Sequence, residues 1–98
     1  MPKILIVDDL RSDRDLMSAI LSKDRPWEVE TATDGRDAFT KVEASIPDVV
    51  VTDLQMPEMD GFQLVAALKQ RFPFLPVVLV TAKASEELAR HARRGREA

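Results

Sequence analysis

The chain has 98 residues, 45% of them apolar, which suits one small globular domain and little more. Its formal net charge of -3 argues against a nucleic-acid-binding surface spread over the whole domain. The absence of cysteine excludes disulfides and thiolate metal sites, and no apolar run approaches the roughly 20 residues that span a bilayer. The first apolar run, Ile4-Leu-Ile-Val7, is too short for a signal peptide. A soluble, cytoplasmic protein with no membrane partner is expected.

Residues 3–7 are β-branched and aliphatic and read as a strand. Leu16, Met17, Ile20 and Leu21 then recur at helical spacing within a polar stretch from about Arg11 to Lys23. Pro26 prevents that helix from continuing. Trp27-Glu-Val-Glu-Thr31 alternates apolar and polar residues, as a half-buried strand does. Asp34 is a candidate N-cap for a helix that carries Ala38, Phe39 and Val42 on one face.

Pro47 precedes a third strand centred on Val49-Val50-Val51 and ending at Asp53. Asp60 can cap the next helix, where Phe62, Val65 and Leu68 mark the expected inward face. Val77-Val-Leu-Val80 contains no polar residue and is expected to be buried on both faces. Ser85 is a candidate cap for a last helix with Leu88 and Ala92 facing inward. Trp27 and the four phenylalanines are expected in the core.

The order β-α-β-α-β-α-β-α favours a parallel sheet covered by helices on both faces. Ligands of such sheets sit beyond the carboxyl ends of the strands, where the strand order switches. Asp8, Asp9, Asp53 and Thr81 fall at three such ends. Each has a plainer reading alone: Asp8-Asp9 as a helix start, Asp53 as a turn residue before Pro57, and Thr81 as a β-branched strand residue. Their coincidence at one sheet edge points to chemistry instead. Mg²⁺ prefers oxygen ligands and commonly uses one or two carboxylates together with a phosphate oxygen. Asp9 and Asp53 can supply carboxylates, a backbone carbonyl just after Asp53 another oxygen, and Asp8 a contact through water. Without a cation the three carboxylates repel one another, so at least one pKa is expected to rise.

Four stretches resemble the receiver domain of two-component response regulators. They are Ile4-Leu-Ile-Val-Asp-Asp9, Thr33-Asp-Gly-Arg-Asp-Ala38, Asp48-Val-Val-Val-Thr-Asp-Leu-Gln-Met-Pro-Glu-Met-Asp-Gly61 and Pro76-Val-Val-Leu-Val-Thr-Ala82. The resemblance implies a flavodoxin-like, doubly wound α/β fold with strand order 2-1-3-4-5. It implies that Asp53 is the phosphoacceptor, fed by a histidine kinase or a phosphotransfer protein. Asp9, Asp53 and the carbonyl of Gln55 would bind Mg²⁺, with Asp8 assisting through water. Thr81 would hydrogen-bond the phosphoryl group and act as the switch, and the small Ala82 would leave room for it. Gln55 and Lys83 would tune phosphoryl lifetime.

The family pattern continues into a fifth strand with an aromatic residue and a Lys-Pro pair, then a fifth helix. The present chain stops at Ala98. The expectation is therefore a receiver domain over residues 1–98 that is incomplete at its C-terminus, with sheet order 2-1-3-4. Among the lysines, only Lys83 is placed to approach the site; Lys3 stands at the far end of its strand. The run Arg90-His91-Ala92-Arg93-Arg94-Gly95-Arg96 reads first as cations complementing a helix C-terminus, and alternatively as a partner-binding face.

The expected function is a phosphorylation-switched signalling module rather than a turnover enzyme. It would have an output domain or partner of unknown identity and no direct contact with nucleic acid, and a dimer could form through the fourth strand and helix. The alternative is a receiver-like interaction domain that works without phosphorylation. A phosphohydrolase with an aspartate nucleophile typically has a second Asp two residues on, where this chain has Gln55.

Overall fold

The computed structural model describes residues 2–23, 26–54, 56 and 59–80. Along them run β1 (Lys3–Val7), α1 (Arg11–Ser22), β2 (Glu28–Ala32), α2 (Gly35–Ala44), β3 (Val49–Asp53), α3 (Gly61–Arg71) and β4 (Val77–Val80). The four strands form one parallel sheet in the order β2-β1-β3-β4. The expected last helix and its Ser85 cap lie outside the described residues.

The side chains of β1 alternate between two apolar layers, as a strand buried on both faces requires. Leu5 and Val7 join Val50 of β3, Ala38 and Val42 of α2, and Leu64 and Leu68 of α3. Ile4 and Ile6 join Val51 and Met17, with Leu21 of α1 packed against them. Helix α1 thus covers one face of the sheet, and α2 and α3 cover the other. Placing β1 centrally, with β2 on one side and β3 on the other, makes the β1/β3 boundary the point where strand order reverses.

The helix starts follow from local chemistry. The Asp34 side chain accepts the Asp37 N–H at 2.8 Å, as expected of an N-cap. Asp60 and Gln63 form a reciprocal capping box, Asp60 accepting the Gln63 N–H at 2.8 Å and Gln63 accepting the Asp60 N–H at 2.9 Å. Neither Asp8 nor Asp9 caps α1, whose N-cap is Leu10 with no side-chain hydrogen bond. The helix-start reading of that pair is thereby set aside.

Three packing expectations are corrected. Phe62 is 64% exposed and Phe74 is 70% exposed, so only Phe72 among the phenylalanines is buried, with Phe39 packed partly against the core. The inward stripe of α3 is Gly61, Leu64 and Leu68. Phe62 follows Gly61 by one residue, about 100° around a helix of 3.6 residues per turn, and so leaves the buried face. In β4, Val78 is 47% exposed and Leu79 is 36% exposed. Among the described residues β4 has a single neighbouring strand, β3, and burial on both faces needs layers that extend past the edge.

Candidate functional site at the carboxyl edge of the sheet

Backbone register brings the acidic residues together. Val7 pairs with Thr52 across β1 and β3, so the next residue of each strand, Asp8 and Asp53, stands at the same edge. The Asp8 N–H donates to the Ala32 carbonyl at 3.1 Å, extending the contact with β2. On the other side, the Leu54 N–H donates to the Val80 carbonyl at 2.9 Å. One carboxylate oxygen from each of Asp8, Asp9 and Asp53 lies within 4.8 Å of the others. Asp8 is 4% exposed and Asp53 8% exposed, while Asp9 faces solvent.

The expected pKa rise falls on Asp8, whose carboxyl is pushed up from 3.8 to about 6. Burial is its main cause; the nearby Asp53, Asp13 and Asp9 carboxylates add to it, and the Leu10 N–H opposes it. Withdrawal from water therefore outweighs the like-charge repulsion that the sequence suggested. The Leu10 N–H donates to Asp8 Oδ1 at 3.0 Å, fixing the side chain across the turn.

The main chain after Asp53 is held as tightly. Thr52, fully buried, donates its hydroxyl to the Asp53 carbonyl at 3.1 Å. The Gly61 N–H donates to the Leu54 carbonyl at 2.9 Å, closing the loop that follows β3. A Cβ on Gly61 would stand 2.5 Å from the Asp53 carbonyl oxygen and 2.9 Å from Leu54 Cα, so only glycine permits this approach. At the start of α2, a Cβ on Gly35 would meet Met59 at 2.7 Å, which seats the same loop against the second helix.

Of the residues singled out from sequence, Asp8, Asp9 and Asp53 converge. Thr81 and Gln55 lie outside the described residues, as do Ala82 and Lys83. Lys3, Lys41 and Lys69 are engaged elsewhere. Lys3 pairs with Glu30 at 2.7 Å, Lys41 donates to the Thr31 carbonyl, and Lys69 donates to the Leu75 carbonyl at 2.7 Å. Sequence reasoning passed over Thr52, whose hydroxyl contact has no sequence signal, and named Gly61 only as the last residue of a motif, with no role for its missing side chain.

Three oxygen donors with this spacing, two of them buried, suit a hard divalent cation, and relief of the penalty on Asp8 would favour its binding. An acidic cluster at the carboxyl edge of a parallel sheet, beside the switch in strand order, marks the chain as a doubly wound α/β domain with a candidate site where such folds bind their ligands. Within that class the family model for the response regulator receiver domain matches residues 4–96, and the chain belongs to that family.

The chain is 37% identical over 84 residues to the alkaline phosphatase synthesis transcriptional regulatory protein PhoP of Bacillus subtilis; the match covers 86% of this chain and 35% of that protein. It is 38% identical over 89 residues to the hybrid signal transduction histidine kinase D of Dictyostelium discoideum, covering 89% of this chain and 6% of the kinase. The chain thus spans about a third or less of these relatives. The crystal structure of response regulator TrrA of Thermotoga maritima, in complex with Mg²⁺-BeF, superposes with a TM-score of 0.80 at 29% identity. That superposition covers 84% of this chain and 70% of that one. The fold is the flavodoxin-like sheet expected from the motifs, and the chain is a two-component signalling module.

Among the described residues, no helix is long and apolar enough to cross a membrane.

Proposed function

We propose that the module works as a phosphorylated switch in which Asp53 accepts a phosphoryl group from a histidine kinase or phosphotransfer protein. A carboxylate oxygen of Asp53 attacks phosphorus, an O–P bond forms, and the N–P bond of the donor phosphohistidine breaks. The imidazole leaves with the electron pair of that bond. Asp8, Asp9 and Asp53, with the Gln55 carbonyl, would hold Mg²⁺, which supplies charge neutralisation for the transferring group. Thr81 would hydrogen-bond the phosphoryl oxygens and report its arrival.

The observation that carries this reading is the burial of two carboxylates within 4.8 Å of each other and of Asp9. A surface used only for docking has no need of a carboxyl held at about 6, and withdrawing two carboxylates from water at one sheet edge is costly. The complex of TrrA with Mg²⁺-BeF supports the same use of the site. An aspartyl phosphate carries about -1.5 to -2 charge where the ionised carboxylate carried about -1. Phosphorylation thus adds up to about one negative charge and three acceptor oxygens to an already acidic edge, enough to bias a two-state equilibrium in the neighbouring elements.

The domain, residues 1–98, acts as the receiver portion of a regulator in the cytoplasm and does not turn over an external substrate. Exposed Val78 and Leu79 support β4 as the side that meets a partner or second copy. Incubation with acetyl phosphate and Mg²⁺ is expected to add one phosphoryl mass, absent in Asp53→Asn. No adduct on the wild type, or an undiminished one on the variant, overturns the assignment.

A further inference from the structure

Helix α1 begins at Arg11, and its first full turn returns Arg14 to the loop that carries Asp8 and Asp9. The Arg14 N–H donates to the Leu10 carbonyl at 3.0 Å. Its guanidinium reaches further back and donates from Nη1 to the Asp8 carbonyl at 2.8 Å. The Asp8 side chain is meanwhile bonded to the Leu10 N–H, and its own N–H to β2. The Asp8 peptide is thus held at its carbonyl, side chain and nitrogen. Arg14 supplies the one of these contacts that comes from another residue's side chain. It forms no ion pair with Asp8 or Asp9; among the described residues the ion pair near this helix start is Arg11–Asp15, at 3.8 Å on the surface.

We propose that Arg14 is a positioning residue for the acidic site: by binding the Asp8 carbonyl it sets the loop so that Asp8 and Asp9 present their carboxylates together. The inference rests on the divalent-cation reading of the site. An arginine can hold a carbonyl through a charge-assisted bond that is shorter and stronger than a neutral one. Used this way, it leaves the carboxylate oxygens of Asp8 and Asp9 available as ligands.

The proposal has a distinctive sign. A cation beside a cation-binding site repels the incoming ion, so simple electrostatics makes removal of Arg14 tighten Mg²⁺ binding. Loss of a positioning contact makes removal weaken it.

Calorimetric titration of Mg²⁺ into the unphosphorylated full chain separates the two. Arg14→Ala is expected to weaken binding about tenfold, the lower end of what losing an outer partner of metal ligands costs. Arg14→Lys, which keeps a cationic donor, is expected to fall between Arg14→Ala and wild type. Arg11→Ala removes an equal charge from the same helix start and is expected to leave affinity unchanged or slightly tighter. Hydrogen exchange of the Leu10 amide gives a metal-independent reading, with loss of protection expected in Arg14→Ala and not in Arg11→Ala. Binding by Arg14→Ala that equals or exceeds wild type overturns the positioning role, as does unchanged Leu10 exchange. Failure of the wild type to bind Mg²⁺ overturns the cation reading itself, and the two failures are told apart by the wild-type titration.

Discussion

Replacing Asp8 with asparagine is expected to stabilise the metal-free protein at neutral and alkaline pH. The folded carboxyl titrates at about 6 against 3.8 for the ordinary group. Between those values the native state holds more protons than the unfolded chain, so stability falls as pH rises through the window and stays low above it. Each pH unit of difference is worth about 1.4 kcal/mol, which puts the ceiling of the penalty at about 3 kcal/mol. Asparagine keeps an oxygen for the Leu10 N–H but brings an amide with two donors to place. A net gain of about 2 kcal/mol at pH 8 is therefore expected, reversing to a loss of up to about 1 kcal/mol near and below pH 4, where the carboxylate penalty is gone and the cost of placing the amide remains. Urea unfolding of both proteins in chelator, at pH 8 and again near pH 4, measures it. Adding Mg²⁺ is expected to erase the difference, because ligand binding stabilises the intact acidic site. An Asp8→Asn protein no more stable than wild type at pH 8 refutes the claim that burial of this carboxylate is held at a cost.

Two further substitutions probe the loop after β3. Gly61→Ala places a methyl group 2.5 Å from the Asp53 carbonyl oxygen; overpacking against backbone costs about 1–3 kcal/mol, more than the roughly 1 kcal/mol that alanine gains over glycine within a helix. Lower stability together with weaker Mg²⁺ binding is expected, measured by urea unfolding and calorimetry. Asp60→Ala removes the capping box of α3 and is expected to cost about 1 kcal/mol, with Mg²⁺ affinity near wild type, which separates a helix cap from a ligand.

The elements with strong local signals were legible in the sequence. Asp34 and Asp60 cap their helices as their positions suggest, and the acidic residues at strand ends converge because parallel pairing leaves them no other place. The strand order itself came from the family motifs. Periodicity misled where one residue decides a face: Phe62 is apolar and adjacent to the buried stripe, yet it points to solvent. An all-apolar strand suggests burial, but exposure of β4 depends on which layers flank the edge, and four residues cannot specify that. Arg14 was legible only as one charge in a polar helix, because a side chain bonded to a backbone carbonyl six residues earlier has no compositional mark.

The central claim is that the carboxylate of Asp53, and not that of Asp8 or Asp9, receives the phosphoryl group. Borohydride reduces an acyl phosphate to the alcohol, leaving homoserine in place of the modified aspartate. Peptide mass mapping after phosphorylation and reduction is expected to find homoserine at position 53 alone. Homoserine at position 8 or 9, or unmodified aspartate at all three positions after a measured phosphoryl uptake, contradicts the account.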